Sequence, residues 1–133
     1  MPGPITSSEF RALAGFRAAL RGFLHFSEER AAAIGLAPQQ HQVLLIVRAS
    51  QTAPTVGDIG AALFLKPNSA SELVQRLRSA GLVTLEPDAA DHRRRALSLT
   101  ARAEHALAAL SEAHRDELRR MRPALKALLD ALE

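Results

Sequence analysis

A chain of 133 residues is about one domain, enough to bury a core without disulfide or metal staples. It has no cysteine, which excludes cysteine nucleophiles, cysteine zinc sites and thiol redox sensing together and is compatible with the cytoplasm, where we expect it. The net charge is a mild +3, apolar residues (many of them alanine) make up 47%, and no apolar run approaches the ~18–20 residues of a membrane span, so the composition points to packed helices and away from disorder or a membrane anchor.

In chain order, the segment before Ser8 lacks the basic start and apolar centre of a secretory leader. A first helix is predicted from Ser8 to Ala33. Leu13, Phe16, Leu20, Phe23 and Leu24 form one apolar stripe, with the small residues Ala12, Gly15, Ala19 and Gly22 beside it. So broad a stripe predicts burial against more than one partner. Pro38 suits the first position of a second helix, and Val43, Leu44, Ile46 and Val47 make that helix central. Thr55 reads as the cap of a third helix with Asp58 at its third position, and Val56, Ile59 and Leu63 as its buried stripe. After the short break Phe64-Leu65-Lys66, Pro67 opens a fourth helix that ends near Gly81. Two short helices with a tight connection have the spacing of a helix-turn-helix.

Period-2 alternation over Leu82–Leu85 and Ala96–Leu99 predicts two strands. The polar tip between them carries Pro87, Asp88, Asp91 and the run Arg93, Arg94, Arg95, and is longer than a tight turn. Thr100 then caps a fifth helix with Leu107, Leu110, His114, Leu118 and Met121 at coiled-coil-like spacing, Leu110 and Leu118 being seam candidates for a second copy. Pro123 is expected to restart a short sixth helix bearing Leu125, Leu128, Leu129 and Leu132.

The fourth helix and the hairpin carry the functional expectation. With Ala70, Leu73, Val74 and Leu77 turned inward, the outer face is Asn68, Glu72, Gln75 and Ser79, flanked by Ser71 and Arg76. Asn and Gln can read adenine, Glu can accept from the cytosine amino group, and Ser and Arg reach phosphates or bases. A surface helix is often polar on its outer side for no reason but solvation; the arginine-tipped hairpin that follows tips the balance. In an extended strand Asp91 and Arg93 share a face, so the carboxylate can hold the guanidinium outward for a narrow minor groove. A helix for one groove and a hairpin for the flanking backbone point to a DNA-binding protein. The histidines His25, His41, His92, His105 and His114 are scattered with no HxxxH pair, and no Ser-His-Asp spacing, glycine-rich phosphate loop or carboxylate pair commends an enzyme. No metal, cofactor or catalytic residue is therefore assigned.

The ordered series Leu65-Lys66-Pro67-Asn68-Ser69-Ala70-Ser71-Glu72-Leu73-Val74-Gln75-Arg76-Leu77, Gly81-Leu82-Val83, Pro87-Asp88, Asp91-His92-Arg93 and Leu99-Thr100, preceded by Gly35-Leu36-Ala37-Pro38-Gln39-Gln40, resembles the MarR (multiple antibiotic resistance regulator) family. The resemblance implies a mostly α fold, a winged helix-turn-helix with a small β-hairpin wing between N- and C-terminal dimerisation helices. On that reading one MarR-like domain spans 1–133, with dimerisation helices at 8–34 and 100–133 and the DNA-binding lobe at 36–99. The expected DNA contacts are Asn68, Ser69, Ser71, Glu72, Gln75, Arg76, Arg93 and Arg94, with Asp91 supporting the wing. The implied protein is a homodimeric, ligand-responsive repressor of transcription acting on double-stranded DNA, without an enzyme activity or a membrane partner. Its small organic effector would lie near Arg17, His25 or His41. The rival is a sensor or protein-interaction module of the same fold with weak DNA binding. Four positions depart from the family pattern: Glu72 where many members are basic, Ala37 in place of a Thr or Ser cap, Ala103 where Gly is common, and Arg95 where a β-branched apolar residue is common.

Overall fold

The computed structural model describes residues 3–132. The order is α1 (Ser7–Ala33), α2 (Pro38–Ala49), α3 (Val56–Ala62), α4 (Pro67–Ser79), β1 (Val83–Pro87), β2 (Arg95–Leu99) and α5 (Ala101–Ala131). The chain forms two compact units, one from the described residues of Met1–Arg30 and Ser111–Glu133, the other from Ala31–Leu110. Among the described residues no helix is long and apolar enough to cross a membrane.

The Ala31–Leu110 lobe is built around α2, whose Val43, Leu44 and Val47 are buried with Ile59 of α3, Leu73, Val74 and Leu77 of α4, Val83 and Leu97 of the strands, and Leu107 of α5. Pro38 is at the first turn of α2. Ala37 has no side-chain oxygen to cap with, but the Gln40 side chain accepts from the Ala37 N–H at 2.9 Å, so half of a capping box survives the departure from a Thr or Ser cap. Thr55 and Asp58 make the full box at α3: Asp58 N–H donates to Thr55 Oγ1 at 3.1 Å and Thr55 N–H to Asp58 Oδ2 at 2.9 Å. Thr100 caps α5 by accepting from Ala103 N–H at 3.2 Å, and its hydroxyl also donates to the Gly81 carbonyl at 2.7 Å. Ala103 is fully buried.

The strands pair antiparallel from Val83↔Leu99 to Pro87↔Arg95, each shifted or extended slightly from its predicted range. An isolated bridge, Thr55↔Ala96, and the bond from Leu97 N–H to the Pro54 carbonyl (2.8 Å) lay a third short segment along β2. That segment explains why Ala96 and Leu97 are both buried despite being neighbours on a strand.

The other unit pairs the first part of α1 with the last part of α5. The Phe23 and Phe26 rings meet the His114 ring edge-on, each at 5.6 Å between centroids, and His114 Nε2 lies 2.6 Å from Ser27 Oγ. Within one chain the apolar stripe of α1 is not buried: Leu13, Phe16, Leu20 and Leu24 stay exposed, as do Leu118, Leu129 and Leu132 of α5, and the one fully buried residue of α1 is Ala31. Two expectations are corrected. Leu110 is not available as a seam, because it sits in the lobe core. Pro123 does not restart a helix; it lies inside α5. A proline costs one intrahelical N–H bond, and the strong helix formers around it, Met121, Arg122, Ala124, Leu125 and Lys126, carry the helix through.

Candidate nucleic-acid interface

α4 starts at a proline, which fits the first helical turn, and buries the expected Ala70, Leu73, Val74 and Leu77. Burying that stripe leaves Asn68, Ser69, Ser71, Glu72, Gln75 and Arg76 exposed along the other side. Glu72 and Arg76 are one helical turn apart, yet they form no ion pair among the described residues. Glu72 therefore presents an uncompensated carboxylate at the centre of the face.

The wing tip is a closed loop. Asp88 N–H donates to the Arg94 carbonyl and Arg94 N–H to the Asp91 carbonyl, both at 2.9 Å, while Asp91 N–H donates to Asp88 Oδ2 at 3.1 Å. Asp91 and Arg93 meet as expected, by a different route: residues 91–94 form a turn, not an extended strand. Asp91 Oδ1 accepts the Arg93 backbone N–H at 3.1 Å, an Asx-type turn, and the same carboxylate takes the guanidinium in a fork, Nε to Oδ1 at 3.0 Å and Nη2 to Oδ2 at 3.1 Å. Arg94 Nε lies 3.7 Å from Asp91 Oδ2. The Arg93 side-chain bonds, then its backbone N–H and the nearby Arg94 charge, hold the Asp91 carboxyl below its ordinary value of 3.8 against some desolvation. The Arg93 side chain is nonetheless 91% exposed. The fork fixes its direction without hiding its charge.

Helix and wing border one groove of about 690 Å³. Ser71, Gln75 and Arg78 of α4 line one side, Arg93, Arg94 and Arg95 of the wing another, and Thr55, Gly57 and Asp58 at the start of α3 the floor. Of the predicted residues, Ser71, Gln75, Arg93 and Arg94 are brought together here, while Asn68, Ser69, Glu72 and Arg76 lie on α4 outside it. Sequence reasoning missed Arg78 and Arg95. Arg78 was findable: it stands three residues after Gln75 and seven after Ser71, which is the same side of a helix. Four arginines line the groove against two carboxylates, Asp58, already engaged by the Thr55 N–H, and Asp91, which pairs with Arg93 and lies near Arg94, so the groove keeps a net positive charge suited to anions. Arg17 and His25 lie exposed on α1, His25 paired with Glu29 at 3.1 Å; His41 is buried in the lobe. Among the described residues no cluster of three or more His, Asp or Glu could hold a metal ion.

Three short helices, a hairpin with a pinned arginine and a third strand-like segment define the lobe as a winged helix-turn-helix. Residues 34–94, which form most of the lobe, match the family model described as MarR family. No curated protein sequence matches the chain. Among solved structures, AbsC, a MarR family transcriptional regulator from Streptomyces coelicolor, is similar at TM-score 0.71 and 21% identity over 90% of this chain and 81% of that one. A mutant of MepR from S. aureus bound to an oligodeoxyribonucleotide is similar at TM-score 0.70 and 21% identity over 98% and 100%. RV1404 from Mycobacterium tuberculosis is similar at TM-score 0.72 and 21% identity over 89% and 80%. At these identities the likeness is one of fold.

Proposed function

We propose that this chain is a transcriptional regulator that binds duplex DNA as a homodimer, with α4 in a major groove and the wing on the adjoining minor groove. One observation carries the reading: Asp91 aims an exposed Arg93 outward from a wing that borders the same arginine-lined groove as Ser71 and Gln75. A charge held in place by a fork suits insertion into a narrow minor groove, where the negative potential is focused. The MarR family match over the lobe and the likeness to a DNA-bound MepR support the same reading.

The apolar residues that stay exposed on α1 and α5 support a homodimer, since a second copy would remove them from water and a two-fold dimer suits a nearly palindromic site with half-sites about one helical turn apart. Ligand response and repression belong to the proposal on the family match, with Arg17, His25 and His41 as candidate polar contacts. An effector acts only by binding the DNA-competent and incompetent states unequally. The test is titration of a duplex at several salt concentrations. Binding that weakens steeply with salt is expected, because phosphate contacts release counterions. Salt-independent or absent binding overturns the reading in favour of a sensor or protein-interaction module, which the uncompensated Glu72 would then explain. Selection from a random duplex pool supplies the preferred site.

A further inference from the structure

Three helices of the lobe end in the same backbone motif. After α1, Gly35 N–H donates to the Ala32 carbonyl and Leu36 N–H to that of Ala31; after α4, Gly81 donates to Arg78 and Leu82 to Leu77; after α3, Phe64 donates to Ala61 and Leu65 to Gly60. This pair of bonds is the Schellman arrangement, whose first residue past the cap takes a left-handed conformation and is usually glycine. Two of the three obey, with φ of 80° at Gly35 and 74° at Gly81. The third is Phe64, at φ 56°, the one non-glycine with positive φ among the described residues. All three motifs place a leucine next, Leu36, Leu82 and Leu65, so the local pattern is the same and only the bulky residue differs.

Phe64 gains nothing from the fold for this. The residue is 96% exposed, the most exposed large apolar residue in the lobe. A β-carbon in that backbone region is strained, and an aromatic ring in water forgoes burial. Strain and exposure at one residue mark it as a contact rather than a structural part. Its place says with what. Phe64 is in the helix-turn-helix turn, three residues before Pro67 opens α4 and four and five before the exposed Asn68 and Ser69 at the helix start. The N-terminal end of a recognition helix is the end that meets base edges. The apolar feature that a major groove offers there is the thymine methyl group, which Phe can touch.

Resting on the DNA-binding reading above, we propose that Phe64 is a specificity-determining residue that packs on a thymine 5-methyl group in each half-site. The test combines Phe64→Gly with replacement of each thymine of the selected duplex, in turn, by deoxyuracil, which lacks only that methyl. Gly is the residue this motif prefers, so the variant is expected to melt at or above the parent temperature. The parent should lose about fourfold in affinity at one deoxyuracil position per half-site, the worth of one buried carbon. Phe64→Gly should bind the selected duplex at least tenfold more weakly, show no response at that position, and keep the parent's affinity and salt slope for random duplex. Equal binding by parent and variant, a parent indifferent to every deoxyuracil, a variant that still senses the same methyl, or a variant that melts well below the parent each overturns the proposal. Failure of the DNA-binding reading itself shows up separately, as a parent that binds no duplex in a salt-dependent way.

Discussion

Removing the Arg93 side chain separates a binding role for the wing from a structural one. In the free protein its partner is Asp91 across a solvent-facing fork, and the guanidinium is 91% exposed. Exposed pairs of this kind, like most surface side chains, contribute little to stability, so Arg93→Ala should melt within a few degrees of the parent. On the proposed DNA-binding reading the same side chain is a groove-inserted charge, so its loss should weaken binding to all sequences by about 1–3 kcal/mol and lower the salt slope by about one phosphate per wing. Asp91→Ala leaves the charge and removes only what aims it, and it also takes a negative group away from the phosphates. Its loss of affinity should therefore be smaller. Because Asp91 acts through Arg93, adding Asp91→Ala to Arg93→Ala should produce no further loss, which a double-mutant cycle reads directly. The assay is fluorescence anisotropy on specific and random duplexes at fixed salt, with thermal melts of each variant. Unchanged affinity in both single variants would remove the wing from the mechanism; a large drop in melting temperature for Arg93→Ala would show that the arginine holds the wing together instead.

The Asp91 carboxyl, held below its ordinary 3.8 by Arg93, should keep the fork intact as pH falls to that value and release it only below, so its contribution is complete above the unfolded-state pKa and lost through the lower native one. An Asp91 carboxyl carbon that titrates at or above 3.8 by NMR contradicts this, and Arg93→Ala should move the midpoint back up. Glu72→Gln should tighten binding to random duplex, because the carboxylate at the centre of α4 has no cation paired with it; weaker random binding with discrimination lost at a single C·G pair would mean that Glu72 reads a base. Sedimentation should show a dimer at about 10 µM, an ordinary association range, and Leu20→Asp or Leu118→Asp should shift it to monomer; a monomeric parent refutes the assembly. Thr55→Ala should cost about 1 kcal/mol by deleting one arm of the α3 capping box, measured by urea unfolding, and no change would mean that another group caps the helix.

The elements were legible wherever local chemistry decides them. Pro38, Thr55, Pro67 and Thr100 mark four helix starts, because a cap or a first-turn proline is a property of a few adjacent residues. The inner face of α4 was legible from period alone. Legibility ended where an answer depends on what lies across space. The apolar stripe of α1 is the same whether it packs within one chain or against a second, so the sequence pattern could not say that Leu13, Phe16, Leu20 and Leu24 stay exposed. The spacing of Leu107, Leu110, His114 and Leu118 is one continuous series, yet its first members face the lobe core and His114 meets Phe23 and Phe26. The third segment on the wing sheet is two residues and one bridge, too short for any alternation. At the site, the Asp91–Arg93 pair was legible as a pair, but its geometry is that of a turn, because the Asp91 carboxylate also takes the Arg93 backbone N–H.

The charges of the lobe are divided in a way that bears on how recognition would be shared. Arg93, Arg94 and Arg95 sit on the wing and Arg76 and Arg78 near the C-terminal end of α4, whereas the preceding part of the exposed α4 face carries Asn68, Ser69, Ser71, Glu72 and Gln75. Phosphate contacts supply sequence-independent affinity, and base-edge contacts supply discrimination. On the proposed DNA-binding reading, the wing arginines together with Arg76 and Arg78 would therefore supply most of the affinity, and the preceding part of the α4 face most of the selectivity. Phe64 adds an apolar reader at the start of that helix, where a polar list cannot distinguish thymine by its methyl group. On this division, exchanging the α4 face should change which site is chosen while leaving general binding nearly intact. Removing the wing arginines should do the reverse, and a protein in which both changes acted alike would not be built on this division.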